Sequence, residues 1–272
     1  MSASPTVLKL GGELLDDATR LRAIAGAIVA VAARIPLIVV HGGGKEIDAA
    51  MAAAGLEKQQ VDGVRVTDAA TLSVVVPVLA GAINTRFVAA ITASGGRAVG
   101  LTGADATVAP VTPMPPLRAV DGRTVSLGFV GRPVTSGPAS LLTHLIDAGY
   151  IPVIASIGAD IEGTLYNVNA DTMAAAVAVR SGADRLVIAG TTPGVLDTSG
   201  VTVPALNRAA EARMIAARTI NAGMVAKLTA CRDALAGGVG SVFIGDGRDA
   251  AHLRHTLLTA GQPATATVVV AS

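Results

Sequence analysis

Two glycine-rich segments are the parts of this sequence best suited to chemistry. Lys9-Leu10-Gly11-Gly12 ends the first short apolar run, and His41-Gly42-Gly43-Gly44 follows the second. Glycine lets the backbone approach a ligand closely and presents its N–H as a fixed donor, so neighbouring glycine loops can cradle a charged phosphoryl group. Lys9 adds a positive charge beside them. One glycine pair also serves an ordinary turn, but two such loops after consecutive strands favour phosphoryl transfer.

The two loops match neither of the common nucleotide-binding motifs. The chain has no G-x-x-x-x-G-K-[ST] sequence, and no G-x-G-x-x-G sequence opens its first strand–helix turn. We therefore disfavour a P-loop fold and a dinucleotide-dependent oxidoreductase.

A third segment, from Asp62 to Asp68, carries Arg65 just before a predicted helix. An arginine at such a position can bind a substrate carboxylate through two parallel hydrogen bonds. A solvated arginine that pairs with Asp62 or Asp68 explains the same pattern. Taken alone, the segment favours that simpler interpretation.

Two more polar features lie in the second half of the chain. Asn167-Val168-Asn169-Ala170-Asp171 leads from a turn into a helix, so one of its side chains is predicted to cap that helix. Three polar groups within five residues exceed what one cap requires. Lys227 lies one turn into another helix, where a surface lysine is the simpler interpretation. We expect His41 to be structural and Cys231 to be a packed thiol.

Short apolar runs alternate with helical patterns along the whole chain. Strands are predicted over Val7–Leu10, Pro36–Val40, Arg97–Leu101, Ile151–Ile157, Arg185–Ala189, Val242–Ile244 and Ala266–Val270. Helices are predicted over Asp17–Ala33, Lys45–Ala54, Asp68–Ser94 (with a kink or break at Pro77), Ala139–Asp147, Asp171–Ser181, Ala205–Arg218, Met224–Ala236 and Ala250–Thr259. A β-hairpin region is predicted over Thr107–Pro133. Such alternation indicates an α/β fold, a three-layer αβα sandwich around a mostly parallel sheet.

Composition agrees with that fold and narrows the class of protein. Of 272 residues, 51% are hydrophobic and only 2% aromatic, so an aliphatic core of the kind that buries a parallel sheet is expected. A net charge of +1 suggests no nucleic-acid partner. The longest charge-free apolar run, Ala69–Thr85, is predicted to be a buried helix, because a bilayer span needs ~20 apolar residues. One cysteine and the absence of a signal sequence lead us to expect a cytoplasmic protein without disulfides.

Together these segments carry a resemblance to a known family. The matching stretches are Val7–Gly12, Val40–Gly44, Gly63–Asp68, Leu127–Gly131, Asn167–Asp171, Pro193–Asp197 and Gly223–Lys227. They span nearly the whole chain and resemble the amino acid kinase family, in particular its members that act on N-acetylglutamate. The resemblance implies ATP-dependent phosphorylation of the side-chain carboxylate of N-acetyl-L-glutamate to an acyl phosphate, the second step of arginine biosynthesis.

The resemblance also implies a role for each candidate residue. Lys9 and Lys227 would offset charge on the transferring phosphoryl group, and Asp171 would hold both lysines in place. The N–H groups of Gly11, Gly12 and Gly44 would bind phosphoryl oxygens. The acetylglutamate would be held by Gly43, Gly44, Arg65 and Asn167, with Arg65 on a carboxylate. The resemblance places ATP along Thr191, Gly194, Val195 and Leu196 and around Asn221 and Gly223, with Mg²⁺ carried on its phosphates and no metal bound by the protein itself.

Two positions depart from the family pattern. Thr191 stands where the family usually has an aspartate before its Pro-Gly, and Ser126 also replaces a frequent aspartate. We therefore expect weaker ATP binding than is typical of the family, and we expect Thr191→Asp to strengthen it.

The resemblance further implies one kinase domain over residues 1–272, with an N-terminal lobe (1–160) for the amino-acid substrate and a C-terminal lobe (161–272) for ATP. Arginine-inhibited relatives carry an extra helix before the first strand. Because the first strand here begins near Thr6, we expect a homodimer that arginine does not inhibit, with no membrane partner.

Two alternatives stay open from the sequence. One is a kinase of lysine biosynthesis that acts on an aminoadipate derivative, because one methylene gives only ~1–3 kcal/mol of discrimination. The other is a non-catalytic amino-acid or nucleotide sensor on the same fold, which would not need both Lys9 and Lys227.

Overall fold

An eight-stranded sheet organises the chain in a computed structural model that describes residues 3–61, 63–118, 122–259, 261, 263 and 266–271. In the described residues the strands are β1 (Thr6–Leu10), β2 (Leu37–His41), β3 (Gln60–Val61), β4 (Val64–Arg65), β5 (Ala98–Thr102), β6 (Val111–Pro113), β7 (Leu117–Arg118), β8 (Thr124–Val125), β9 (Gly131–Pro133), β10 (Ile151–Ala155), β11 (Ile157–Ala159), β12 (Leu165–Asn167), β13 (Arg185–Gly190), β14 (Ala205–Leu206), β15 (Ser241–Asp246) and β16 (Thr267–Val269).

Helices cover both faces of that sheet. The α-helices of the described chain are α1 (Ala18–Ala32), α2 (Gly44–Ala53), α3 (Ala69–Val76), α4 (Asn84–Ala93), α5 (Ser140–Asp147), α6 (Ala170–Arg180), α7 (Arg208–Ala216), α8 (Ala222–Ala236) and α9 (Ala250–Leu258). Short 3₁₀ helices occupy Gly12–Leu14 and Asp105–Thr107, and a π-helical segment, Pro77–Ile83, joins α3 to α4.

The main sheet has the strand order β14-β16-β15-β13-β1-β2-β10-β5. Neighbouring strands are parallel except β15 and β16, which pair antiparallel. The three-layer α/β sandwich with a mostly parallel sheet is therefore confirmed. Strands from residues 6–155 fill one side of the β1–β13 boundary, and strands from residues 185–269 fill the other.

Alternate residues of the central strands belong to two separate cores. Val7 and Ile188 face the core built with α5, α6 and α8, whereas Leu8 and Val187 face the core built with α1, α4 and α9. All five residues of β1 are buried, because helices cover both of its faces. The chain goes from β1 to β2 by α1 on one face, and α6 leads to β13 on the other face. The carboxyl ends of β1, β2 and β13 therefore open onto a crevice at a switch in strand order, where ligands bind in open α/β sheets.

The long apolar helix continues through Pro77 instead of breaking. Proline lacks the N–H that an α-helix needs, and here the backbone changes to π-type hydrogen bonding over the next turn. The predicted buried helix is only partly buried. Val75, Leu79, Ile83 and Phe87 are inside at every fourth position, while the residues between them, apart from the buried Asn84, are exposed or half-buried. By length and composition alone Ala69–Ala93 could cross a membrane, with 33% of its most apolar window buried in the protein.

The structure corrects two predicted elements. Ala205 and Leu206 form the edge strand β14, so the helix predicted from Ala205 begins only at Arg208. The predicted strand Ile151–Ile157 ends at Ala155, and Ile157 begins the separate hairpin β11–β12. The hairpin region is confirmed by the antiparallel pairs β6–β9 and β7–β8. Asp62 and residues 119–121 lie outside the described residues.

Candidate active site

Two lysines share one buried carboxylate at the carboxyl end of β1. Lys9 Nζ lies 2.8 Å from Asp171 Oδ1, and Lys227 Nζ lies 3.3 Å from Asp171 Oδ2. The side chains of Lys9, Asp171 and Lys227 are only 9%, 10% and 17% exposed. The interpretation of Lys227 as a surface lysine is therefore wrong, because α8 packs against α6 and turns this side chain towards Asp171.

The start of α6 fixes the position of Asp171. Asn169 is the N-cap of the helix, and its Oδ1 accepts hydrogen bonds from the N–H groups of Asp171 and Thr172 at 2.9 and 3.2 Å. Asp171 lies in the first helical turn, where the helix dipole also favours a negative charge. Of the polar groups in the Asn167–Asp171 segment, Asn169 is thus the predicted cap.

Burial and charge act in opposite directions on these groups. Burial alone would raise the pKa of Asp171, but attraction by Lys9 and then by Lys227 outweighs it and leaves that pKa below its usual value. Burial, followed by repulsion from Lys9, lowers the pKa of Lys227 despite the attraction of Asp171. With all three groups ionised the cluster carries a net positive charge, which an anionic phosphoryl group would balance.

The two glycine loops touch each other beside this cluster. A Cβ built on Gly12 would lie 2.5 Å from Gly43 Cα and 2.8 Å from Gly43 N, so a side chain at this position has no room. A Cβ on Gly43 would in turn clash with Ile83 and Leu79 of the long helix. Gly12 opens a 3₁₀ helix and Gly44 opens α2, and N–H groups in a first helical turn have no partner within the helix.

The N–H of Gly11 was predicted to bind a phosphoryl oxygen, and the structure shows a different partner. Its N–H donates to the Ala189 carbonyl oxygen at 3.0 Å, because Gly11 continues the pairing of β1 with β13. A phosphoryl group is therefore not the partner of this N–H. Gly11 still lines the cleft, and a Cβ there would collide with the carboxylate of Glu13.

Arg65 enters the same cleft from the β3–β4 hairpin. Its side chain is 9% exposed and forms an ion pair with Asp48 of α2, and its Nη1 lies 3.1 Å from Met51 Sδ. Lys58 Nζ lies 2.8 Å from the other Asp48 oxygen. The predicted ion pair of Arg65 is therefore with Asp48 rather than with Asp68, whose side chain caps α3.

Asn167 lines the same cleft and is held by hydrogen bonds to Thr67 and Phe129. Its Nδ2 donates to Thr67 Oγ1 at 3.1 Å, and its N–H donates to the Phe129 carbonyl at 2.9 Å. Gly128 adopts a positive φ of 67°, and a Cβ there would clash with the Thr67 carbonyl oxygen. The Leu127–Gly131 motif thus positions the neighbours of Arg65.

His41 is structural, as predicted. It is fully buried at the end of β2, where Nε2 lies 3.0 Å from Asn84 Nδ2 and Nδ1 lies 3.2 Å from the Gly42 carbonyl. Burial lowers the pKa of His41 to about 4, so the imidazole is neutral at pH 7. Cys231 is a buried free thiol whose pKa burial raises, which agrees with its predicted packing role.

One cleft of about 240 Å³ brings most predicted residues together. Lys227 does not line this cleft but contacts Asp171, which does. The predicted residues that line it are Lys9, Gly11, Gly12, Gly43, Gly44, Arg65, Asn167 and Asp171. This volume suits a small substrate better than a drug-sized ligand. Sequence reasoning missed Glu13 and Ser156, which also line the cleft. The acidic Glu13 directly after Gly11-Gly12 was a usable signal, whereas nothing in the sequence pointed to Ser156.

The residues predicted for ATP lie elsewhere, on loops after β13 and before α8. Val195 N–H donates to Thr267 Oγ1 at 2.8 Å, and Leu196 forms a bridge with Thr202. Asn221 is the N-cap of α8, since its Oδ1 accepts from Met224 N–H at 2.9 Å. Thr191 and Gly194 lie on the first of these loops, Gly223 lies in the first turn of α8, and none of the six lines the 240 Å³ cleft.

Comparison with known proteins gives this geometry a context. Residues 4–246 match the model of the amino acid kinase family. Acetylglutamate kinase of Sphingopyxis alaskensis is 41% identical over 248 residues, which cover 89% of this chain and 82% of that protein. Acetylglutamate kinase of Dinoroseobacter shibae is also 41% identical, over 89% of this chain and 81% of its own length.

A solved structure extends the likeness to the fold. N-acetylglutamate synthase from Neisseria gonorrhoeae, complexed with coenzyme A and N-acetyl-glutamate, superposes with a TM-score of 0.81 at 26% identity. The match covers 100% of this chain and 60% of that one. The family match over most of the chain, together with the lysine–aspartate–lysine cluster and the paired glycine loops, establishes that this protein belongs to the amino acid kinase family.

Proposed function

We propose that the protein transfers the γ-phosphoryl group of ATP to the side-chain carboxylate of N-acetyl-L-glutamate, in the second step of arginine biosynthesis. The observation that carries the proposal is the net positive, buried Lys9–Asp171–Lys227 cluster beside two touching glycine loops. Relatives at 41% identity that bear the name acetylglutamate kinase supply the substrate.

The cluster fits the charge demands of this reaction. A carboxylate oxygen of the substrate bonds to the γ-phosphorus while the bond from that phosphorus to the bridging oxygen of ADP breaks. The substrate carboxylate is already ionised at neutral pH, so the reaction needs no general base. The protein mainly positions the reactants and offsets charge. Lys9 and Lys227 supply that charge, and Asp171 keeps both ammonium groups fixed.

The rest of the cleft holds the amino acid. Arg65 donates to the α-carboxylate, and Asn167 and the backbone of Gly43 bind the remaining polar groups. The N–H groups of Gly12 and Gly44 bind phosphoryl oxygens, and Gly11 provides space. Ile47, Leu79 and Val130 add apolar walls to the same cleft. The resemblance to the family supports each of these roles, and the positions of Gly12 and Gly44 at the starts of helices agree with it.

ATP is proposed to lie over the C-terminal lobe, residues 161–272, with acetylglutamate on the N-terminal lobe, residues 1–160. Support comes from the sheet, in which β13 of the second half borders β1 of the first at the crevice. Thr191, Gly194, Val195 and Leu196 form one wall, and Asn221 and Gly223 form the other. Because the Asn221 side chain caps α8, this loop contacts the nucleotide through its backbone.

Mg²⁺ is proposed as the companion of ATP. Among the described residues no group of three or more His, Cys, Asp or Glu side chains could hold a metal ion. The cleft is lined by two carboxylates, Glu13 and Asp171. So few protein oxygens suit Mg²⁺, which in kinases is held largely by substrate phosphates. When bound, the ion neutralises phosphate charge. Asp171 pairs with two lysines, so Glu13, the other carboxylate that lines the cleft, would be the residue to contact the ion.

Acyl phosphate formation tests the proposal. The protein is incubated with MgATP and either N-acetyl-L-glutamate or N-acetyl-L-aminoadipate, and the product is trapped with hydroxylamine. We expect product with acetylglutamate, its loss in Lys227→Ala, and its retention in Lys45→Ala, whose side chain is 71% exposed. Product only with aminoadipate would move the protein to the lysine-branch reaction, and nucleotide binding without any product would favour the sensor.

The assembly and the compartment are part of the proposal. A homodimer is supported by the half-exposed apolar residues of the helix 69–93, which packs beside the edge strand β5. A cytoplasmic location is supported by the free thiol of Cys231. Light scattering on the purified protein should give twice the mass of the 26.9 kDa chain, and a monomer would contradict the dimer.

A further inference from the structure

Asp48 links two parts of the cleft that the chain keeps separate. It lies in α2, the helix that begins at Gly44, and its two carboxylate oxygens contact different cations. One oxygen pairs with the Arg65 guanidinium at the end of the β3–β4 hairpin, and the other lies 2.8 Å from Lys58 Nζ just before that hairpin. The carboxylate therefore ties the hairpin to the helix that carries the second glycine loop.

The ion pair with Asp48 restricts the orientation of the Arg65 guanidinium, which a flexible arginine side chain would not fix by itself. Arginine has five N–H donors in a rigid planar group. Nη2 is used by Asp48 and Nη1 faces Met51 Sδ, a weak acceptor, so N–H groups remain for a ligand in the cleft. Fixing one corner of a planar group by a charged hydrogen bond also sets the direction of its other donors.

The two cations on Asp48 differ in their surroundings. The Arg65 side chain is 9% exposed and lines the cleft, whereas the Lys58 side chain is 42% exposed and does not line it. Asp48 itself is about one-third exposed. The Lys58 contact is therefore a surface ion pair of small energetic value, and the Arg65 contact is the one that bears on the site.

We propose that Asp48 is a positioning residue that sets the orientation of Arg65 for the α-carboxylate of the amino-acid substrate. The inference rests on the proposed function, since it takes Arg65 as the carboxylate-binding group. Asp48 touches neither the substrate nor the phosphoryl group. It acts on substrate affinity because Arg65 would otherwise have to be ordered at the moment of binding.

The test is steady-state kinetics of acyl phosphate formation by Asp48→Asn, with Lys58→Met as the matched control that removes the other half of the ion-pair cluster. We expect Asp48→Asn to raise KM for acetylglutamate about tenfold, with KM for ATP and kcat within about twofold to threefold of wild type. Lys58→Met should leave all three constants within about twofold. Asp48→Glu should restore part of the lost affinity, because it restores the charge.

A double-mutant cycle separates positioning from a general structural role. In an Arg65→Gln background, Asp48→Asn should change kcat/KM for acetylglutamate less than about twofold, because the group that Asp48 orients is gone. A full tenfold effect in that background would overturn the proposal. So would an unchanged KM in the Asp48→Asn single variant, or a fall in KM, which would mean that Asp48 competes with the substrate for Arg65.

Thermal unfolding of each variant accompanies the kinetics, so that a folding defect is recognised. If Asp48→Asn unfolds early, Asp48→Glu and the cycle still decide the question at a temperature where both variants are folded. If the wild-type protein makes no acyl phosphate from acetylglutamate, the proposed function fails and the positioning role fails with it. If the wild-type protein is active and Asp48→Asn is indistinguishable from it, only the positioning role fails.

Discussion

The amino-acid cleft and the proposed nucleotide loops use their polar residues in opposite ways. In the cleft, charged side chains from β1, α6, α8 and β4 converge, and Asp171 lies between two lysines with little exposure to solvent. On the loops after β13 and before α8, polar groups instead form hydrogen bonds within the protein. Asn221 caps a helix, and the Val195 N–H donates to Thr267 Oγ1 of β16, which in turn donates to the Val203 carbonyl.

The difference shows where side-chain chemistry is concentrated and where backbone shape suffices. In the proposed reaction the cleft must offset the charge of the transferring phosphoryl group, which needs fixed ammonium groups. A loop that receives a nucleotide mainly through its backbone has no such need, and its side chains can serve local structure. Substitutions should therefore affect catalysis in the cleft, and stability or modest affinity on the loops.

Removing the shared carboxylate should have the largest effect. Asp171→Asn leaves Lys9 and Lys227 buried without their counter-ion, so we expect kcat to fall about 100-fold or more. The free energy of unfolding should fall by about 3 kcal/mol, because a broken buried ion pair leaves an uncompensated charge. The control is Asp233→Asn on the exposed side of α8, which should change neither quantity. Near-normal kcat in Asp171→Asn would remove the central contrast between the two regions.

A pH titration tests the structural histidine at the end of β2. The folded-state pKa of His41 is lowered to about 4 from 6.5, so the unfolded chain takes up a proton at a higher pH than the folded protein does. Stability from this group is present above pH 6.5 and is lost as the pH falls from 6.5 towards 4, by up to about 3 kcal/mol.

His41→Gln keeps a polar side chain beside Asn84 but cannot titrate. Urea unfolding at pH 7 and pH 4.5 should therefore show a smaller loss of stability in the variant than in the wild type. Carboxylates that titrate in this range are common to both proteins and cancel in the comparison. Equal losses would mean that His41 is protonated in the folded state without cost.

On the nucleotide side, Thr191→Asp should strengthen ATP binding. A carboxylate forms charge-assisted hydrogen bonds about twice as strong as those of a hydroxyl, and we expect KM for ATP to fall about fivefold. KM for acetylglutamate should not change, and Thr198→Asp in the next turn should change neither constant. An unchanged or higher KM for ATP would count against a polar role for position 191.

The smallest expected effect is at Asn221. Asn221→Ala removes the hydrogen bond to Met224 N–H and should cost about 1 kcal/mol of folding stability, while Asn221→Ser should keep the cap. Both variants should keep KM for ATP within about twofold if the loop binds through its backbone. A large rise in that KM, at unchanged stability, would give the Asn221 side chain a direct role and weaken the contrast between the two regions.

The sequence predicted the layers of the fold because buried strands and capped helices leave local signals. Runs such as Val7–Leu10 and caps such as Asn169 depend on neighbours a few residues away. The failures have non-local causes. Ala205 and Leu206 form a strand only because β16 offers them an edge to pair with, and Ile157 leaves the main sheet because it pairs with Asn167 in the β11–β12 hairpin.

The candidate site divides in the same way. Glycine loops and a lysine at the end of a strand indicate their chemistry from the sequence alone. The roles of the other site residues were predicted from the family resemblance. The sequence alone could not give the burial of Lys227, which requires α8 to pack on α6. Nor could it give the Asp48–Arg65 pair, which joins residues from two different elements. The use of the Gly11 N–H within the sheet became visible only once β13 was placed beside β1.

The pairing of β1 with β13 also has a consequence for the order of events during synthesis. Thr6 lies opposite Arg185, a neighbour roughly 180 residues further along the chain. At ribosomal speeds of 5–20 residues per second, about 10 to 40 s separate the emergence of the two strands. During that interval the β13 side of the β1 backbone is unpaired. Lys9 also lacks the complete cluster, which includes Asp171 and Lys227. The complete cluster can therefore form only late in synthesis, and a chain released before Lys227 is expected to be inactive.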